Sequence, residues 1–348
     1  MHLPRLLSLR VAGALACLLG TLSPLAAQTT ASTAPRGIIA ASFPVGNNAL
    51  ALPLIAADRF IGTVSASTAT TATFAAGNAA AALTAGKKYY AEVETGPFEG
   101  ERFDLDTAAS LGAGGATIVL DLAATSASTS NTLGAGALAG ARLVIRAHNT
   151  LGTLTTLFTP ALTGNNSAAL ADSVQLYEGG ALRIYYLRSD GVTWRESGKA
   201  VDETGRVIPP DTSLLLVLRS GARTWDHAGL VRRNVFRVKL AAGTRALATG
   251  FPLDLSPLQI GGFIDSGLPA NRRWVGSDSA ALADTLQVFD PATGMFILYY
   301  LRANGTAWRR AGQAPEVQNN ALLAATGMAV LTRANPDADY LILRPFSL

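Results

Sequence analysis

The chain has 348 residues, 49% apolar and 15% charged, with a formal net charge of +4. That length suits about two domains of ~100–200 residues, and so little charge excludes a disordered, self-repelling chain. The near-neutral balance argues against a nucleic-acid partner, whose footprint is a basic patch.

The first 27 residues read as a signal peptide. Arg5 and Arg10 open it without an acid, "VAGALACLLGTL" is a short apolar core, and "SPLAAQ" offers small residues for cleavage after Ala27. The apolar run is shorter than the ~20 residues of a membrane span. A lipid-anchored reading at Cys17 ("ALAC") is disfavoured by Ala14, which stands where Leu is preferred. Cleavage removes the only Cys and lowers the net charge to +2 by taking Arg5 and Arg10. The mature chain then has no disulfide and no thiol nucleophile, and no transmembrane helix is expected in it. Residues 28–38 follow as a flexible leader.

A repeat dominates the rest. "SAALADSVQLY" (Ser167–Tyr177) returns as "SAALADTLQVF" (Ser279–Phe289), and "YYLRSDGVTWRESG" (Tyr185–Gly198) as "YYLRANGTAWRRAG" (Tyr299–Gly312). From Tyr185 the offset is 114, which carried onward matches Thr212 with Thr326 and Arg219 with Arg333. Earlier, Ala49-Leu50 matches Ala246-Leu247, Pro53-Leu54 matches Pro252-Leu253, and Ile61-Gly62 matches Ile260-Gly261. The chain therefore divides into a first β-domain over 39–235, carrying an insert at about 65–164, and a shorter second domain over 236–348 that repeats 40–64 and 165–221. A period this long is domain duplication rather than a solenoid.

Within the insert, "STATTATFAAGNAAAALTAG" suits an exposed strand and a short helix. "KKYYAEVE", the turn "TGPFEG" and "ERFDLD" form a hairpin, with Tyr89, Ala91, Val93, Phe103 and Leu105 inward. Glu92, Glu94, Arg102, Asp104 and Asp106 then form a solvated face. "ATIVLDLA" and "ARLVIRA" are two more strands. In each repeat Asp190-Gly191 or Asn304-Gly305 signals a two-residue hairpin turn. That turn sets Leu187 opposite Trp194 and Tyr186 opposite Arg195, with Leu301 opposite Trp308 and Tyr300 opposite Arg309 in the second copy. The fold class is all-β or mainly β: two related antiparallel domains of sandwich or small-barrel type.

The candidate binding residues are Trp194, Tyr186, Arg195, Trp308, Tyr300 and Arg309. Exposed aromatics on a β surface can hold sugar rings, and two copies would add avidity. The competing reading is that both Trp side chains pack inward as hairpin staples; their exposure decides. The acids Glu92, Glu94, Glu99, Glu101, Asp104 and Asp106 could bind calcium or cleave glycosides, but alternation explains them. "NPDADY" (Asn335–Tyr340) is a weak calcium candidate and a strong turn. His148 and His227 are the only histidines past residue 27, and a hydrolase would have to use one of them. "GAGALAG" (Gly134–Gly140) lacks the strand–loop–helix setting of a cofactor loop. No cofactor, metal or catalytic residue is assigned.

The set "YYAEVETGPFEGERFDLD", "IRAHNTLGTL", "ADSVQLY…YYLRSDGVTWR" and "IPPDTSLLLVLR" resembles a family of exported proteins of no established activity, expanded as paralogues in verrucomicrobial bacteria. The resemblance spans roughly residues 40–235 and implies a periplasmic, cell-surface or extracellular protein. The expected function is an exported, non-enzymatic structural or surface protein, with envelope proteins or polysaccharide as partners. The alternative is carbohydrate binding through the duplicated hairpins. A hydrolase at His148 and an outer-membrane barrel rank lower.

Overall fold

The computed structural model describes residues 34–123, 133–240, 243–335 and 339–343. Residues 1–33, and with them the signal peptide and Cys17, lie outside the described residues, as does the centre of "NPDADY". Arg36–Leu348 is one compact unit, mostly β. The first strands are β1 (Arg36–Phe43) and β2 (Gly46–Leu50). Next come β3 (Asp58–Ser67), β4 (Thr71–Phe74), β5 (Tyr89–Val93), β6 (Arg102–Leu105), β7 (Thr117–Asp121) and β8 (Arg142–Ala147). Two-residue strands β9 (Asn149–Thr150) and β10 (Phe158–Thr159) precede β11 (Ser173–Glu178), β12 (Ala181–Leu187) and β13 (Trp194–Glu196). The first half closes with β14 (Val207–Ile208), β15 (Leu214–Leu218) and β16 (Arg223–Leu230). The second holds β17 (Phe236–Leu240), β18 (Gly243–Leu247), β19 (Thr285–Asp290), β20 (Met295–Leu301), β21 (Trp308–Arg310), β22 (Ala329–Arg333) and β23 (Asp339–Leu343).

Two five-stranded sheets share one plan. The first runs β13-β12-β11-β15-β2 and the second β21-β20-β19-β22-β18. The plan extends to an outer antiparallel pair in each half, β1 with β16 and β17 with β23. "SGARTWDHAGLVRR" is thus largely a strand, with Trp225 fully buried, rather than a loose connection. β1 likewise begins inside the expected leader, at Arg36.

The motif "SAALAD" recurs because its Asp is a clamp. Asp172 is fully buried and accepts the Thr163 N–H at 2.7 Å and the Arg219 N–H at 2.6 Å. Asp284, equally buried, accepts the Val275 N–H at 2.9 Å and the Ala334 N–H at 2.8 Å. Arg219 therefore corresponds to Ala334, not Arg333, and the repeat slips by one residue before β22. The slip decides the sheet face: Leu214 and Leu216 face one core and Ala329 and Leu331 its counterpart, whereas a one-residue error would exchange the faces.

The hairpin register is as expected, Leu187 with Trp194 and Leu301 with Trp308. The turn differs. Only Gly191 (φ 72°) and Gly305 (φ 78°) take positive φ there, so this is not the tight turn that puts both central residues in that region. Asp190 and Asn304 instead use their side-chain oxygens to accept two following N–H groups each.

The two sheets pack face to face through Leu215, Val217, Ala246, Phe289, Met328 and Val330. Their contact is reciprocal: Ala51 N–H donates to Thr326 O at 3.0 Å, and Ala248 N–H donates to Asp211 O at 2.8 Å. Ala51 and Ala248 hold matching places after β2 and β18, so the halves meet as an isologous dimer would.

The insert forms a closed six-stranded barrel, β3-β4-β7-β6-β5-β8. It starts at Asp58, so Ile61-Gly62 belongs to a barrel strand while Ile260-Gly261 forms a turn; that match has no structural counterpart. Tyr89, Ala91, Val93, Phe103 and Leu105 fill the interior as alternation predicts. The Ser/Thr-rich stretch supplies β4, and the Ala run a single turn of helix at Ala80–Ala82. "GAGALAG" turns under the barrel, with Leu138 in its core. Among the described residues no helix is long and apolar enough to cross a membrane.

Candidate functional site

The six residues singled out in the hairpins divide between two sheet faces. Trp194 and Trp308 are both 0% exposed. Trp194 Nε1 donates to Thr155 Oγ1 at 2.7 Å and Trp308 Nε1 to the Gly262 carbonyl at 2.5 Å. Trp308 also packs edge-on against Trp274. Tyr186 and Tyr300 are buried on the other face, beside half-buried Arg195 and Arg309. The sugar-binding reading required exposed indoles, and these are sealed inside. Alternation puts Trp on the face shared with Leu187 or Leu301, which each sheet turns toward its core.

The acidic strand face is where the chain places its buried charge. Glu92, Arg102 and Asp104 point away from the barrel interior, as expected, but they are not solvated. The barrel wall is covered by residues 232–237 and by Asp211 and Arg245. Glu92, 0% exposed, accepts from Arg146 Nη1 at 2.7 Å and Asn234 Nδ2 at 2.7 Å, and contacts the Arg232 guanidinium. Arg146 also reaches Asp58 at 2.8 Å. Glu101 pairs with Arg237 at 3.0 Å. Asp211 sits between Arg102 at 3.2 Å and Arg245 at 2.7 Å. The Phe236 ring lies under two guanidinium groups, Arg232 at 4.0 Å and Arg102 at 4.8 Å.

Burial and pairing oppose each other here. Burial alone would push the Asp211 carboxyl up, but Arg102 and Arg245 reverse that and hold it below the usual range. Burial pushes the Arg232 guanidinium down to about 10, against the pull of Tyr90. A lone charge in such a place would cost several kcal/mol, so each partner is obligatory.

At one end of this seam, His148 Nε2 lies 2.7 Å from Asp104 Oδ1, with the Tyr90 ring tilted against it at 4.7 Å. Both partners are buried. A histidine–carboxylate pair could in principle move a proton, but this one faces protein on its described sides. Among the described residues no cluster of three or more His, Cys, Asp or Glu side chains is arranged to hold a metal ion. A cavity of about 70 Å³ beside Phe289, Leu323 and Met328 belongs to the second sheet, and none of the seam's charged residues lines it. It is far below the ~300 Å³ at which small-molecule sites begin.

Half of the seam is legible in the sequence. Alternation finds the outward acids, and "VRRNVFRVK" supplies the complementary cations, yet nothing local says that the two stretches meet. No family model, curated protein or solved structure matches the chain.

Proposed function

We propose that this is an exported, non-enzymatic structural protein of the bacterial envelope or extracellular space. The observation that carries the reading is the destination of Glu92. It joins Arg146 of the barrel to Arg232 and Asn234 of the segment entering the second half, with no exposure. Groups that could do chemistry are thus consumed in locking one part of the body to another. Export rests on the character of residues 1–27 and on the family resemblance. The common sheet plan and the paired Asp clamps support an origin by internal duplication.

Fractionation of an expressing diderm bacterium, with sequencing of the mature N-terminus, tests the localisation. The expected product begins at Gln28 and lies outside the cytoplasm; a cytoplasmic chain retaining residues 1–27 refutes export. The purified protein is then titrated with a panel of polysaccharides while tryptophan fluorescence and acrylamide quenching are followed. The structural reading expects shielded, indifferent tryptophans. A polymer that shifts the emission would replace it with a binding function.

A further inference from the structure

β1 lies at the free end of the three-stranded sheet β10-β16-β1. In an antiparallel ladder, alternate N–H and C=O groups of an end strand point away from its single neighbour. Among the described residues, no backbone hydrogen bond of Arg36–Phe43 goes beyond its pairing with β16. The matching strand of the other half is treated differently. β17 is covered: Arg237 N–H donates to the Gly100 carbonyl of the barrel at 2.9 Å, and its guanidinium pairs with Glu101 at 3.0 Å. There is one barrel for two equivalent edges, and among the described residues nothing pairs with the outer edge of β1.

The sequence of β1 does nothing to blunt that edge. Natural edges are kept single by shortness, charge or an internal proline. The end strands β13 and β21 are three residues long and carry Arg195 and Glu196, or Arg309 and Arg310. β1 is eight residues long, "RGIIAASF", with its single charge at Arg36 and with Ile38 76% exposed.

We propose that β1 is a self-association edge, pairing antiparallel with β1 of a second copy of this chain. Pro35 and Pro44 bound the strand, and neither can donate a backbone hydrogen bond, so the stretch able to pair is Arg36–Phe43 itself. A two-fold antiparallel pairing lays that stretch on its own copy and sends the two Arg36 side chains to opposite ends. The middle, Ile38–Ala41, is uncharged and meets itself without repulsion. An acidic partner of the kind that β17 receives would find no cation there. Such a contact is isologous and stops at the dimer. One strand pair buries less than the ~1,200–2,000 Å² of a standard interface, which implies a weak, concentration-dependent dimer.

Sedimentation velocity on the purified chain, from about 1 μM to several hundred μM, tests this. The expected result is a monomer–dimer shift that the double variant Ile38→Lys, Ala40→Lys abolishes at every concentration. Both positions are exposed, so the thermal midpoint should not move. Hydrogen exchange on the wild type gives a reading independent of the variant. Amides of Arg36–Phe43 should exchange several-fold more slowly at the highest concentration than at the lowest. A monomer throughout, a dimer that survives both lysines, or exchange indifferent to concentration would overturn the proposal.

Discussion

In the first half, the Tyr185 hydroxyl donates to Glu178 at 2.7 Å, Arg183 pairs with Glu196 at 2.8 Å, and Arg206 lies over the Tyr185 ring at 5.5 Å. Burial, with the Glu178 carboxylate beside it, pushes the Tyr185 hydroxyl above the usual phenol range. In the second half Tyr299 stands at the same place, but Arg183 has become Ile297, which packs into the core with Val317 and Leu322. The Glu178 position is Asp290, which turns back on Ala292 and Thr293. One sheet plan thus carries a polar layer in one copy and an apolar layer in the other. What both copies keep is backbone geometry: the Asp clamp, the hairpin register and the buried indole. Side chains that cover the sheet differ, because any covering that fills the space and satisfies its polar groups serves.

The largest effect should fall at the seam, where the barrel, which only the first half carries, meets the start of the second half. Glu92→Ala leaves Arg232 buried without its carboxylate, and Arg146 with Asp58 but not Glu92; it should cost about 3–5 kcal/mol, read as a lower denaturation midpoint. A similar loss from Asp290→Ala, in the second half, would show that the seam has no special standing.

Acid sensitivity should also belong to one half. His227 on β16 is buried and lowered to about 4, by desolvation, against an ordinary value near 6.5. The unfolded chain takes up that proton first, so His227 contributes fully above pH ~6.5 and its contribution is lost as pH falls toward 4. The loss reaches about 3 kcal/mol at most. The matching place on β23 is held by Leu343, opposite Phe236 as His227 is opposite Ile39. His227→Leu should flatten stability between pH 6.5 and 4; an unchanged acid limb would assign it elsewhere.

The shared features should fail alike. A Cβ on Gly164 would sit 1.9 Å from the Arg188 carbonyl oxygen, and one on Gly276 would sit 2.2 Å from that of Arg302. Gly164→Ala and Gly276→Ala should each cost about 1–3 kcal/mol by forcing the backbone apart. Unequal losses in urea titrations would mean that one copy yields more easily. At the indoles, Trp194→Phe and Trp308→Phe each remove one hydrogen bond and leave a small cavity, about 1–3 kcal/mol. Each should remove a population of tryptophan emission that acrylamide does not quench.

Local pattern reveals what is local. Period-two alternation sorts Tyr89, Ala91 and Val93 from Glu92, and the turn spacing alone pairs Leu187 with Trp194. The pattern misjudges Asp190, because the same dipeptide serves two turns and the choice depends on the Asp side chain. It also aligns Arg219 with Arg333, since a slip in a run of apolar residues leaves composition almost unchanged. Solvation of the Glu92 face is misread for a deeper reason. Alternation reports which residues share a face, while the covering of that face by residues far along the chain is a tertiary fact. The acids were therefore rightly grouped and wrongly given to solvent, while the aromatic pair had the right register and its indoles lie inward, as the hairpin-staple reading expects.

The first and last strands of the barrel, β3 and β8, are hydrogen-bonded neighbours, with Asp58 opposite Arg146. The chain leaves the host sheet after β2 and re-enters beside the point of departure. An insertion whose ends already meet adds little closure entropy to the fold that receives it. The barrel is also continuous in sequence, whereas the first sheet must join β2 to strands from beyond Ser173. During vectorial emergence the guest can close on itself before its host has enough chain to form, and in doing so it draws the two halves of that host together.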